Sequence, residues 1–436
     1  MLVTVESTGT LGRRMRVELP AERIEKEIES RLKSVGRTAK IKGFRPGKIP
    51  AKVVRQRYGG QIRQEVLSDL MQKSYSDAVI QENLNPAGGP KIEPEAAEND
   101  KGFAYVATFE VLPEITLQGL DKIVVTKPEV EIADKDCDEM IHNLRKQKAV
   151  WSTVDRQSKE GDRVIVDFNG TLKGEPIKGG QGKEVPVDLG EGHMLPEFEK
   201  ALEGSKAGDE KSIKVKFPKD YHDEALASKK VDFTIKVHRV EEEELPPLDD
   251  TLAELYDVKE GGLATLRADV RANMEREAKQ RVSGEIKEQA LNGLLDANPI
   301  EIPNSLKEQE IHSLQHEAMR RLGIEDHDKA PPAENFAEAA ERRVRLGLLV
   351  RQLIQDNNLS VDTDRVRKHV EEMCASYENA EDMVAMYMRN EQAIAQIEPM
   401  VLEEQAVEWL TENGVVKTRK AGFKEYMNKD SGINQS

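Results

Sequence analysis

The stretches RVIVDFNGTL (residues 163–172), KSIKVKF (211–217) and VDFTIKVHRV (231–240) alternate apolar and polar side chains and are separated by glycine-rich turns. A period of two belongs to half-buried strands. Residues from Trp151 to about Glu242 therefore read as a compact β-rich domain, with one short helical patch around Glu197–Glu203. The acidic run EEEELPPLDD (241–250) reads as a linker behind it, because Pro246 and Pro247 continue neither a helix nor a ladder.

Upstream, LVTVES and RRMRVELP read as strands, and AERIEKEIESRLKSVG as a helix with Ile24, Ile28 and Leu32 on one face. The loop IKGFRPGKIP (41–50) follows, then helices over 51–59 and 61–83 and a strand FAYVATFEV at 103–111. Residues 113–149 pass from a strand-like KIVVTKPEVEI to a helix and read as a linker that packs with the C-terminal region. Downstream the period is helical almost throughout: 263–299, a restart at Pro303 that ends at Gly323, 334–356, 363–377 and 391–412. The tail 419–436 reads as polar and frayed. The fold class is α+β multidomain: an α+β domain over 1–112, the 113–149 linker, a β-rich domain over 150–246, and an extended all-α domain over 247–436.

Composition agrees with this division. The chain has 436 residues, enough for two to four domains. It is 33% charged and only 4% aromatic, which suits helix-rich modules with much exposed surface better than one large α/β enzyme. The N-terminus shows no basic head followed by an apolar run, and no apolar stretch is long enough for a spanning helix, so the expectation is a cytoplasmic protein with no membrane partner. Two cysteines, Cys137 and Cys374, are too few for a disulfide framework or a thiolate metal site. GGQGKE (179–184) has Glu184 where a phosphate-binding loop needs a hydroxyl, and no GxSxG elbow occurs. His312 and His316 stand i,i+4, but Ser313 takes the place of the base in HExxH, so they read as surface or packing residues. No cofactor and no metal are expected.

Charge is unevenly placed. Residues 31–63 hold eleven basic side chains and no acid; residues 1–112 carry a net +4 and the remainder −20. Within the basic run, Gly43-Phe44-Arg45-Pro46-Gly47-Lys48-Ile49-Pro50 projects a ring and two cations from a turn stiffened by two prolines. Such a turn is either a solvated basic face or a docking tip in which Arg45 and Lys48 meet phosphates or carboxylates while Phe44 enters a pocket. The methionines Met373, Met383, Met386, Met388 and Met400 are either a helix–helix core or an adaptable binding surface.

The loop is similar to the GFRxGKxP signature of the trigger factor family, the bacterial ribosome-associated chaperones. The likeness extends over nearly the whole chain, through LNPAGGP at 84–90 and LEEQAVEWL at 402–410. It implies that Phe44, Arg45 and Lys48 contact the large ribosomal subunit near the exit tunnel, with Gly43, Pro46, Gly47 and Pro50 shaping the tip. It also implies that the helical body binds nascent and unfolded polypeptides, with Met373, Met383, Met386 and Met388 as client contacts. A homodimer off the ribosome is a further partner expectation.

The middle domain resembles an FKBP-type prolyl isomerase in VDFNGTLKGEPIKGG (166–180), LGEGHMLPEFEKALEG (189–204), FPKDY (217–221) and VDFTIKV (231–237). The implied pocket is Phe168, Met194, Leu195, Phe198, Tyr221 and Phe233. Ile177 and Val185 stand where the family often has Phe, Lys178 where an acid is usual, and Glu197 where Gly is common, which implies a weak enzyme. An apolar pocket suffices for this chemistry. Turning an X–Pro bond breaks no covalent bond; its barrier of about 18–20 kcal/mol is lost amide resonance. Stripping water from the planar amide raises it relative to the twisted form, and a hydroxyl such as that of Tyr221 can bond the peptide carbonyl. The competing reading of the sequence is a stand-alone isomerase of this type with a helical dimerisation region.

Overall fold

The computed structural model describes residues 1–39, 44, 49–95, 102–172, 174–218, 226–374, 377 and 379–428. Strands β1 (Leu2–Ser7) and β2 (Gly12–Leu19) form a hairpin that sets Val3 opposite Val17 and Val5 opposite Met15. Helix α1 (Ala21–Thr38) buries Ile24, Ile28 and Leu32, the face read in its sequence, and packs on α2 (Ala51–Gln81). Where the sequence suggests two helices, α2 runs unbroken through Gly59 and Gly60. Those glycines cost about 1 kcal/mol each in a helix interior, and the buried row Val54, Ile62, Val66, Leu70, Ser74 and Ala78 outweighs them. Strands β3 (Lys91–Glu95) and β4 (Phe103–Glu110) complete an antiparallel sheet in the order β1-β2-β4-β3. Ser74 and Tyr105, both fully buried, pair their hydroxyls at 2.9 Å where α2 crosses this sheet.

Strand β5 (Val124–Glu131) and helix α3 (Asp134–Gln147) lead into the β-rich domain. Its strands are β6 (Val150–Val154), β7 (Arg163–Leu172), β8 (Glu175–Asp188), β9 (Glu210–Lys216) and β10 (Lys230–Glu244), with α4 (Pro196–Leu202) laid against them. The order is β6-β10-β7-β8, and β9 also pairs with β10. The acidic run read as a linker is partly strand: Glu241–Glu244 pair with Thr153–Val150. The ladder is reinforced by Arg239 bonded to Glu241 at 2.7 Å and by Lys159 and Arg156 on Glu242 at 2.8 and 3.0 Å.

The C-terminal elements are α5 (Asp250–Glu254), α6 (Gly262–Ala297), α7 (Asn304–Leu322), α8 (Ala337–Asp356), α9 (Thr363–Cys374), α10 (Ala380–Met388) and α11 (Glu391–Asn413). Then come β11 (Val415–Gly422) and α12 (Phe423–Asn428). Helix α10 is not evident in the sequence. The tail departs from its reading as frayed: β11 pairs with β5, and α12 buries Phe423 and Tyr426. The last eight residues of the chain, from 429, lie outside the described residues. His316 packs edge-on against His327, ring centroids 5.1 Å apart.

Two units emerge, one of Met1–Lys127 with Ser283–Thr418, the other of Pro128–Val282 with Arg419–Ser436. In the first, two side-chain amides, Gln289 on α6 and Asn298 just past its end, act as strand partners for the segment after residue 112. Asn298, 5% exposed, accepts from Gln118 N at 2.7 Å and donates to Gln118 O at 3.2 Å. Gln289 does the same to Thr126, at 2.7 and 3.1 Å. Also in this unit, the Glu110 carboxylate accepts from Ser305 N at 2.9 Å and caps the start of α7, whose own cap residue, Pro303, has no side-chain acceptor. Among the described residues no helix is long and apolar enough to cross a membrane.

In the second unit the loop before β7 is held by Asp162, only 1% exposed, which takes both prongs of the Arg156 fork (2.5 and 2.9 Å) and Lys159 N at 2.9 Å. Burial pushes the Asp162 carboxyl up, but the Arg156 fork, the Lys159 amide and the two positive charges outweigh it and hold it below the usual value of 3.8. A depressed folded-state value stabilises the fold above about pH 4, and that stability is lost as pH falls through the folded value. Arg156→Ala is therefore expected to melt at a lower temperature than the wild type at neutral pH. The gap should narrow below about pH 4, as Asp162 becomes neutral in both proteins; calorimetry across pH 2–8 checks this.

Candidate functional site

Strand alternation places Val231, Phe233, Ile235 and Val237 of β10 and Val164 and Val166 of β7 on one buried face. Phe168 continues the β7 row to the edge of that face, where it is half-buried. Helix α4 begins at Pro196, a residue suited to a first helical turn, and points Phe198 and Leu202 inward. Three rings meet there edge to face: Phe168–Phe198 at 5.7 Å, Phe198–Phe233 at 5.6 Å and Phe168–Phe233 at 6.1 Å. Met194 and Leu195 pack against the same cluster. The fold thus brings together five of the six residues expected to form the pocket; Tyr221 lies outside the described residues.

Two glycines make the ring positions possible. Gly170 stands opposite Phe233 across the β7–β10 pair, and Gly182 opposite Phe168 across β7–β8. A Cβ at 170 would sit 2.6 Å from Phe233 Cε1, and one at 182 would sit 2.7 Å from Phe168 Cε1. Each ring therefore lies across its cross-strand glycine, a pairing that covers the bare backbone. Of the departures from the family pattern, Ile177 packs against the cluster, Val185 is half-buried and Glu197 is exposed; the side chain of Lys178 lies outside the described residues.

Sequence reasoning missed Phe217, stacked on Phe233 with centroids 6.5 Å apart, although the alternation of KSIKVKF puts Ile213, Val215 and Phe217 on one face. It also missed Glu199. The signal there is an acid beside Phe198 on a helix too short to turn both outward. Asp167, next to Phe168 but on the other side of β7, accepts from Glu184 N at 2.7 Å and faces His238 Nε2 at 2.9 Å. The Glu184 amide and then His238 hold its carboxyl below the ordinary range.

In the other unit, Phe44 stands 41% exposed between α1 and α2 in the chain, and Pro50 caps the start of α2. Gly43, Arg45, Pro46, Gly47 and Lys48 lie outside the described residues. Arg31, Lys33 and Arg37 on α1, and Lys52, Arg57 and Arg63 on α2, are exposed, so both helices carry positive charge toward the loop between them. The methionines divide. Met383 and Met388 pack on the core formed by α9, α10 and α11, while Met373, Met386 and Met400 are at least half exposed, as is Tyr377.

Comparison with known proteins agrees with these arrangements. The model of bacterial trigger factor protein matches residues 1–144, its C-terminal model matches 262–412, and FKBP-type peptidyl-prolyl cis-trans isomerase matches 154–238. The trigger factor of Thioalkalivibrio sulfidiphilus is 46% identical over 428 residues, 98% of each chain. That of Alkalilimnicola ehrlichii is 45% identical over 430 residues, 98% of this chain and 95% of the relative. A solved chain of the trigger factor chaperone, studied for promiscuous substrate recognition in folding and assembly, is similar in fold. Its TM-score is 0.50 at 20% identity, covering 94% of this chain and 99% of that one.

The glycine–ring pairs yield a direct test. Gly170→Ala, which needs no unusual backbone angle, forces the Phe233 ring off its place in a cluster that has no slack. Overpacking of this kind costs about 1–3 kcal/mol. The variant is expected to fold with a lower melting temperature and to lose about tenfold in isomerase kcat/KM, measured in a protease-coupled X–Pro peptide assay.

Proposed function

This chain belongs to the trigger factor family, and we propose that it docks on the large ribosomal subunit through the Phe44 tip and shelters nascent chains as they leave the exit tunnel. Its middle domain is an FKBP-type peptidyl-prolyl isomerase. The family models on both flanks of that domain set aside a stand-alone isomerase with helices added for dimerisation. The pocket assignment is carried by one observation: three rings meet edge to face around a half-buried Phe168, with Met194 and Leu195 beside them. Phe168, Phe198 and Phe233 hold the proline ring, Met194 and Leu195 close the side, and Tyr221 supplies a hydroxyl to the peptide carbonyl. No group attacks and no proton needs to move; the residues exclude water from the amide while it twists.

The ribosome contact is supported by the loop motif, by the exposure of Phe44 and by the basic faces of α1 and α2 on a chain of net charge −16. Arg45 and Lys48 meet phosphate or carboxylate while Phe44 enters an apolar recess. A chain docked in this way works in the cytoplasm. Clients are held by the helical body, where Met373 and Met386 offer flexible thioethers at the surface and Met383 and Met388 lie just beneath.

Replacing Phe44, Arg45 and Lys48 together with Ala is expected to abolish co-sedimentation with ribosomes while circular dichroism stays unchanged. Wild-type binding should weaken steeply with salt, because phosphate contacts release counterions. Undiminished binding by the triple variant would sink the docking assignment. Phe198→Ala in the full chain tests the other half. Most isomerase activity is expected to disappear as water enters the pocket, while suppression of aggregation of a diluted, denatured client persists. Equal loss of both activities would put the client site in the isomerase domain.

A further inference from the structure

Glu199 follows Phe198 on α4 and is turned inward, only 9% exposed, which is rare for a carboxylate. One of its oxygens accepts from Gly190 N at 3.2 Å and the other from Met194 N at 3.0 Å. Those two donors stand at the ends of segment 190–194. Gly190 and Gly192 within it have φ of +94° and +71°, in the left-handed region that favours glycine. Glu191, Gly192 and His193 are exposed, so packing does little to set the path of this segment. Its exposed part is also held by the pair Lys146–Glu191 at 2.8 Å, with both side chains more than 40% exposed. Such pairs contribute little in water. The buried carboxylate is the stronger tie, since each of its bonds is charge-assisted and partly buried.

The segment leads directly into the pocket wall. Met194 and Leu195 are half-buried against the aromatic cluster, and Leu195 is also the residue that caps α4. One helical turn therefore carries Phe198 into the pocket and, through the next residue, fixes the wall that faces it.

We propose that Glu199 is a positioning residue of the isomerase pocket, its carboxylate bridging the Gly190 and Met194 amides so that Met194 and Leu195 stand as a formed wall against Phe198. The proposal rests on the isomerase reading of this domain. Glu199 touches no substrate; it spares the bound peptide the cost of ordering the rim. Both oxygens must accept. Glu199→Gln preserves the volume but turns an amide N–H toward one of the two donors. Glu199→Asp keeps both acceptors and withdraws them by one methylene, so that one carboxylate no longer spans both amides.

The test uses the full-length chain, an X–Pro peptide assay and hydrogen–deuterium exchange. In both variants KM is expected to rise about tenfold, as for one part-buried N–H left without its acceptor, with kcat changed less than about twofold, the signature of lost binding rather than lost chemistry. Exchange over residues 189–195 should quicken while the strands of the β-rich domain keep their protection. Unchanged KM together with unchanged exchange over 189–195 in both variants would overturn the proposal alone. Loss of the melting transition of the β-rich domain in both would also overturn it, by making Glu199 a determinant of the fold. A wild-type chain that gives no acceleration would overturn the isomerase premise and the proposal with it.

Discussion

Phe233 can lie across β7 only because residue 170 has no side chain, and Phe168 can lie across β8 only because residue 182 has none. That pair of ring–glycine contacts sets where Phe198 must arrive, and so where α4 must sit and how the segment before it must turn. Four of the nine phenylalanines in the chain belong to this one cluster. A protein with so few aromatic residues has gathered four of its phenylalanines where a dry, rigid wall is needed, while its other cores are mostly aliphatic, with Tyr105, Phe109 and Phe423 buried among them. Edge-to-face ring pairs are worth about 0.5–1.5 kcal/mol beyond the area they bury, which favours one arrangement of the rings over a mobile apolar filling.

The same domain shows how a chain that is one-third charged keeps a small apolar site dry. Its acids and bases are used in the ladder and loops around the pocket rather than in it: Arg156 with Asp162, Arg163 with Asp188, Lys159 with Glu242. Arg163 additionally lies 4.0 Å over the Trp151 ring, at the start of β7 and five residues before Phe168. Glu199 is the exception, a charge close to the apolar wall. It is tolerated because both its oxygens find backbone donors.

Much of this was legible in the sequence where one element's own period decided the outcome. The period of two in 163–172 and 231–240 marks the strands, and Ile24, Ile28 and Leu32 mark the buried face of α1. What was hidden depends on partners distant in the chain. The strand β11 reads as polar tail until β5 is there to pair with it. Glu241–Glu244 read as part of a linker because Pro246 and Pro247 follow them; β6 and the nearby cations make them strand. The roles of Gly170 and Gly182 follow from register, which a single sequence does not display. The five methionines look alike in sequence, yet the packing of α9, α10 and α11 turns two of them inward and three outward.

The proposed division of labour between pocket and helical body rests on area. A proline ring with its flanking residues fills one small recess, and a contact of that size cannot by itself hold an unfolded chain against aggregation, since the ordering cost of association offsets much of what it gains. Many weak contacts spread over a larger surface can, provided the surface repacks for each client. The helical elements supply side chains of that kind: Met373, Met386, Met400, Tyr377 and Leu322 stand half or more exposed on α7, α9, α10, α11 and the turn between α9 and α10. Exposed apolar groups invite self-association. The net charge of −20 carried by residues 113–436 opposes it, while the basic faces of α1 and α2 lie on the opposite side of that balance. Acidic helices repel one another and the phosphate-rich ribosome alike, so this charge distribution favours the proposed docking through α1 and α2 and leaves the exposed apolar side chains of the helices for the proposed clients.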